Sequence, residues 1–199
     1  MPGRLLWAVV WAAVAVALVS LDDVAAPVTL MALPAGYLAA AQLAEPARLE
    51  ADDVRRSAQL PWTAAGSALR HGLVPAAGLL ALFVLGPAVA GAAGLWSDRL
   101  LVLPALVPAL VGAALVSAYR GTVPVHLMTG SMTPLGDTGP FGALLWQVRG
   151  PLVALGALAV VDGPLRGAEP DVVGLLWPPL VGAGMAWWAG VTARRTVRG

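Results

Sequence analysis

Ser131 stands in the stretch HLMTGSMTPLGDTGP, residues 126–140, five positions after His126 and six before Asp137. A hydroxyl, an imidazole and a carboxylate are the parts of a nucleophilic hydrolase, and a serine becomes a nucleophile at neutral pH only beside an oriented base. A second residue able to do chemistry is Arg149, inside the otherwise apolar FGALLWQVRGPLVALGALAVV, residues 141–161. Arginine at the centre of a bilayer costs about 2.5–3.5 kcal/mol on insertion scales, so it either snorkels to an interface or meets a polar partner. For Arg149 the first placement keeps Gln147 nearby; the second brings the guanidinium to an anionic ligand or to a carbonyl freed by Pro151. The chain has no cysteine, which excludes disulfides, thiolate catalysis and cysteine metal sites.

Around Ser131 the chain resembles the nucleophile segment of membrane-bound signal peptidases. Met132 follows the serine, Pro134 lies two residues further on, and Gly136-Asp137 imitates the Gly-Asp pair of that family, though closer to the proline. The resemblance implies a base that this chain lacks. The bacterial enzymes use a lysine, and all twelve basic residues here are arginine. The archaeal and endoplasmic-reticulum enzymes use a histidine after the serine, and His71 and His126 both precede it. The strand-rich catalytic domain of the family has no room after Ser131, because most of the remaining residues form two apolar runs. The stretch therefore reads as a loop in which Gly130, Pro134, Gly136, Gly139 and Pro140 make turns and Asp137 or Thr138 caps the next helix.

The elements around these residues follow from hydropathy. The chain is 59% hydrophobic and 12% charged, about half the charge of an ordinary soluble domain. LLVLPALVPALVGAALVSAY has no polar face, as a bilayer-spanning helix requires and an amphipathic surface helix does not. The expected architecture is all-α: one polytopic transmembrane domain, residues 1–199, with about six helices at 5–20, 24–43, 72–95, 100–119, 141–161 and 172–193. The first run, with its charged start and apolar middle, also fits a signal peptide, but no small-x-small cleavage site precedes Asp22, and a retained span is expected.

Arginine placement sets the orientation. With both termini in the cytoplasm, Arg4, Arg48, Arg55, Arg56, Arg70, Arg120, Arg194, Arg195 and Arg198 lie inside, while Arg99 and Arg166 lie outside. Loops 44–71 and 120–140 are then cytoplasmic. Trp96 and Trp177 fall near span ends, where indole rings favour the interface. Small residues recur four apart at Gly86/Ala90, Ala113/Ser117 and Gly182/Ala186, a spacing that allows close helix contact. No acidic residue falls inside a span, which argues against a proton-coupled carrier, an intramembrane aspartyl protease and a carboxylate metal site.

The longest polar segment is AEPARLEADDVRRSAQLPWTAAGSALRH, residues 44–71. Pro46 can start a helix, Arg48/Asp52 and Asp52/Arg56 are spaced as ion pairs, and Ala47, Val54 and Ala58 form a thin apolar stripe. Thr63 can cap a second helix leading into the third span. The segment reads either as a solvated connector or as a docking element. Here the chain resembles the six-span permease subunits of ABC-2-type exporters, and EPARLEADDVRRSAQLPWTAAGSALRHGLVPA is similar to segments of ABC-exporter-like membrane proteins of high-GC bacteria. The resemblance implies a coupling helix between spans two and three, a cytoplasmic ATP-binding cassette subunit as partner, and a dimer with itself or a second permease. It places the coupling surface on Arg48, Asp52, Arg55 and Arg56, joined by Gly136 and Asp137 of the second inner loop. The family's interfacial helix ahead of the first span has no counterpart in the three residues before Arg4.

No Walker A glycine loop exists and no lysine could complete one, so ATP hydrolysis would belong to another chain. No basic patch with interleaved aromatics points to nucleic acid. The expectation is a non-enzymatic, multi-pass permease subunit of an exporter in the bacterial cytoplasmic membrane, embedded in lipid, without cofactor or metal. A membrane scaffold is the alternative, and a serine hydrolase using Ser131 the third reading.

Overall fold

The computed structural model describes residues 2–21, 25–52, 63–121, 123–128, 132–133, 136–137, 139–161 and 172–198. Its centre is α7, Leu103–Ala118, entered through a 3-10 turn at Asp98–Val102. The most apolar window of this segment is 78% buried, against 22–28% for the other long apolar helices. Its sequence explains the position. Alanine, glycine, leucine and valine cover every side of the helix, leaving no face that needs water. Its one hydroxyl side chain, Ser117, is satisfied by the Tyr37 hydroxyl at 3.1 Å.

Around α7 stand α1 (Pro2–Ser20), α2 (Ala26–Leu30), α3 (Ala32–Leu43), α4 (Glu45–Asp52), α5 (Ala64–His71) and α6 (Leu73–Ala92). A short helix α8 (Val125–Met128) and a two-residue antiparallel ladder, Met132–Thr133 with Gly136–Asp137, precede α9 (Gly139–Leu158) and α10 (Val172–Arg198). Among the described residues the regular structure is thus helical apart from that ladder. Thr63 caps α5 as its sequence implies, accepting from the Gly66 amide at 3.1 Å. At the far end of α6, Gly94 takes φ +77° and its amide donates to Gly91, while Leu95 donates to Ala90 at 2.8 Å. This is the glycine-terminated Schellman stop.

Among the described residues four helices are long and apolar enough to cross a membrane: Pro2–Ser20, Ala64–Ala92, Asp98–Ala118 and Gly139–Leu158. A fifth arises if Pro27–Leu43 and Glu45–Asp52, bent by 56°, count as one span. The run expected at 24–43 is interrupted at Met31, three residues before Pro34, whose ring removes the amide that would bond Leu30. The 27-residue α10 is not among the four; Pro178, Pro179, three tryptophans and four glycines dilute its aliphatic residues. Large apolar side chains face outward on several helices, among them Leu6, Leu85, Val89, Val153 and Leu180. In water such a surface is an aggregation hazard; against acyl chains it is the matching solvent.

Inside lipid, apolar burial no longer draws helices together, and close backbone approach takes over. Members of all three small-residue pairs lie at close contacts. A Cβ on Gly182 would stand 2.5 Å from the Pro108 Cβ, and one on Gly112 would stand 2.6 Å from the Met185 Cβ, with the Ala186 amide at 3.4 Å. A Cβ on Gly150 would meet Ser117 Oγ at 2.8 Å and the Ala113 carbonyl at 3.1 Å. Gly86 packs equally closely on Val16 of α1.

Candidate functional site

At the end of the bundle that carries Arg4, Arg48, Arg120 and Arg195, three constructions meet. The first is α4. It continues from α3 across Ala44, turns by 56°, and buries Ala47 completely. Its two glutamates hold it. Glu45 pairs with Arg4 of α1, and Glu50 accepts from the buried Ser67 hydroxyl of α5 at 3.0 Å. The other Glu50 oxygen lies 3.8 Å from His71 Nε2, and His71 Nδ1 is 3.0 Å from the Tyr119 hydroxyl, one residue beyond the end of α7. Burial first, and then the Glu50 carboxylate, hold the Tyr119 hydroxyl above the ordinary tyrosine range, so it stays protonated. Ser67, Glu50, His71 and Tyr119 thus link α4, α5 and α7 through side chains.

The second construction repairs the break in α9. Pro151 has no amide hydrogen, so the carbonyl of Gln147 loses its helical donor. Arg120 Nη1 reaches that carbonyl at 3.4 Å, and Arg149 Nη2 reaches the Arg120 carbonyl at 3.5 Å.

The third is a cavity of about 790 Å³ between α4, the end of α7, α9 and α10. Arg48, Arg120, Arg149 and Arg195 line it, and Asp52 is the one carboxylate on its wall among the described residues. Tyr119, Trp146, Trp188, Ser117 and Thr192 complete much of the rest. Arg149 is fixed by stacking: its Cζ lies 3.6 Å from the centre of the Trp146 ring and 5.8 Å from that of Trp188. Indole is the best of the cation–π partners. Arg149 Nε and Trp146 Nε1 are buried donors with no acceptor among the described residues.

The structure therefore brings three of the sequence-derived candidates to one place, since Arg48 and Asp52 share the cavity wall with Arg149. Gln147 is exposed, and its backbone carbonyl takes part. Gly136 and Asp137 sit in the two-residue ladder. Arg55, Arg56 and Ser131 lie outside the described residues. The sequence reading did not assign Arg120, Arg195, Trp146, Trp188, His71, Tyr119 or Glu50 to a site. Helical spacing carried a signal for some of them: Trp146/Arg149 are three apart, and Trp188, Thr192 and Arg195 follow i, i+4, i+7 on one face. No group of three or more metal-ligating side chains converges among the described residues.

What the fold defines is a class: an all-helical protein with at least four helices apolar enough to cross a membrane and a cationic, aromatic cavity at one end. Comparison with known proteins adds no narrower assignment, for no family model, no curated protein and no solved structure matches the chain.

Proposed function

We propose that the chain is the membrane-spanning permease subunit of an ABC-type exporter, a multi-pass protein of the bacterial cytoplasmic membrane worked by a separate cytoplasmic ATPase. Its six crossings are α1, α2–α3, α5–α6, the 3-10 turn with α7, α9, and α10, with α4 and both termini on the cytoplasmic side.

The observation that carries this reading is the anchoring of α4. Its outer face, with Pro46, Leu49 and Asp52, is exposed, while its inner face is tied to α1 through Glu45 and to α5 through Glu50. A push on the exposed face is passed to three membrane helices as one body, which is what a coupling helix must do. Gly136 and Asp137 of the loop before α9 form the second contact with the partner. ATP is bound and split by that partner; this chain needs no cofactor.

The experiment is recovery of the complex. A photo-crosslinking amino acid at Leu49, 44% exposed, should capture an ATP-binding subunit in native membranes, and mild solubilisation should co-purify it. The same probe at Leu101, 47% exposed at the other end of the bundle, should not. Repeated capture of nothing from Leu49 would leave a non-transporting membrane scaffold as the better reading.

A further inference from the structure

We infer that the cavity bounded by Arg48, Arg120, Arg149 and Arg195 is a binding site for a phosphate-bearing anion. Such a site is independent of an ATPase partner. Among the described residues four arginines line one space against a single carboxylate, and like charges held together in a partly enclosed cavity repel. An anion with several acceptor oxygens relieves that repulsion and uses the forked donors of arginine, which match phosphate geometry.

Three details favour a built site over an accidental crowd of surface charges. Arg149 stacks on the Trp146 ring with Trp188 also near, which orients its guanidinium. Its Nε and the Trp146 Nε1 are buried donors without an acceptor among the described residues, and a buried donor left unpaired is costly. Arg120 is positioned by the Gln147 carbonyl that Pro151 frees, so a helix break in α9 sets a cation on the wall. The volume of about 790 Å³ lies within the range of small-molecule sites. Ala51, Ala118, Trp146 and Trp188 give part of the wall an apolar character that suits the body attached to a phosphate.

The phosphate can arrive as the headgroup of an anionic phospholipid or as a soluble phosphate, and the two sources are separable. The full-length protein would be reconstituted in nanodiscs of phosphatidylcholine with and without phosphatidylglycerol, and lipid co-purifying after delipidation measured by native mass spectrometry. Inorganic phosphate would be titrated by calorimetry into the phosphatidylcholine sample. Selective retention of phosphatidylglycerol, reduced at least ten-fold by Arg149→Gln, identifies a lipid site. Phosphate binding without selective lipid retention, lost in the same variant, identifies a soluble ligand. Arg99→Gln, at the opposite end of the bundle, should change neither. If Arg149→Gln fails to fold, the double variant R48Q/R195Q removes two cations from less buried positions and should produce the same loss. Equal retention of both lipids with no phosphate binding overturns the inference, and so does anion binding that survives these substitutions.

Discussion

The Arg120 guanidinium lies 3.4 Å from the carbonyl of Gln147, the carbonyl that Pro151 deprives of its helical hydrogen bond. One proline thus does two things: it breaks the α9 ladder, and it creates the acceptor that holds a cation of the neighbouring helix. In lipid a freed carbonyl must find another donor, and the end of α7 supplies it.

Because the two features share one acceptor, their mutational effects should be coupled. Arg120→Ala should destabilise the protein by about 1–2 kcal/mol when Gln147 is left without a donor. In a Pro151→Ala background the helix supplies its own amide, and the loss should shrink by about 0.5–1 kcal/mol. A double-mutant cycle by denaturant titration in detergent measures this; strict additivity would show that the contact carries no energy.

Helix α10 meets α7 at a point that has no room for a methyl group. A Cβ on Gly182 would lie 2.5 Å from Pro108 Cβ and 2.7 Å from its carbonyl carbon, and both partners are backbone or a rigid ring. Gly182→Ala should lower the melting temperature by several degrees, roughly the shift of a 1–3 kcal/mol overpacking cost. Gly184→Ala, two residues away and with nothing within 4 Å, should be neutral or slightly stabilising.

The hold on α4 is testable by protease access. Glu50→Ala removes the acceptor of the Ser67 hydroxyl and the carboxylate facing His71. Cleavage within residues 44–52 should become at least several-fold faster, while the length and helix content of the remaining fragments stay unchanged. Cleavage at the wild-type rate would mean that Ala47 packing alone fixes the helix.

How much of this was legible from the chain depends on which force fixes each feature. The spans at 5–20, 72–95, 100–119 and 141–161 correspond to helices because long apolar runs admit few alternatives in lipid. Thr63 capping and the Pro46 helix start were readable because both are decided within four residues. The break between α3 and α4 was readable from Pro46, whereas its 56° angle was not, because the contacts α4 makes, with Arg4 and Ser67, lie far away in sequence. The cavity was legible only in fragments. Arg149 stood out as a charge in an apolar run, whereas Arg120 and Arg195 looked like ordinary inner-side arginines. Their convergence depends on how α7, α9 and α10 pack, and no local pattern in the sequence specifies that.

Stability should also respond to alkali in a defined direction. The Tyr119 hydroxyl is held above its ordinary value in the folded protein, whereas in the unfolded chain it titrates near 10. Above about pH 10 the unfolded state therefore gives up a proton that the folded state keeps, so stability falls as pH rises. Below pH 10 this contribution is complete. Thermal unfolding of wild type and Tyr119→Phe between pH 9 and pH 11 should show the steeper fall in wild type; parallel curves would remove Tyr119 from the account.

The arrangement across the bilayer underlies every functional statement here, and the absence of cysteine makes it directly measurable. Single cysteines at Arg48, Ser97 and Arg195 can be probed in intact cells with a membrane-impermeant maleimide. The account predicts labelling of position 97 from outside, and labelling of 48 and 195 only after the membrane is opened. Labelling of all three from the same side would contradict it.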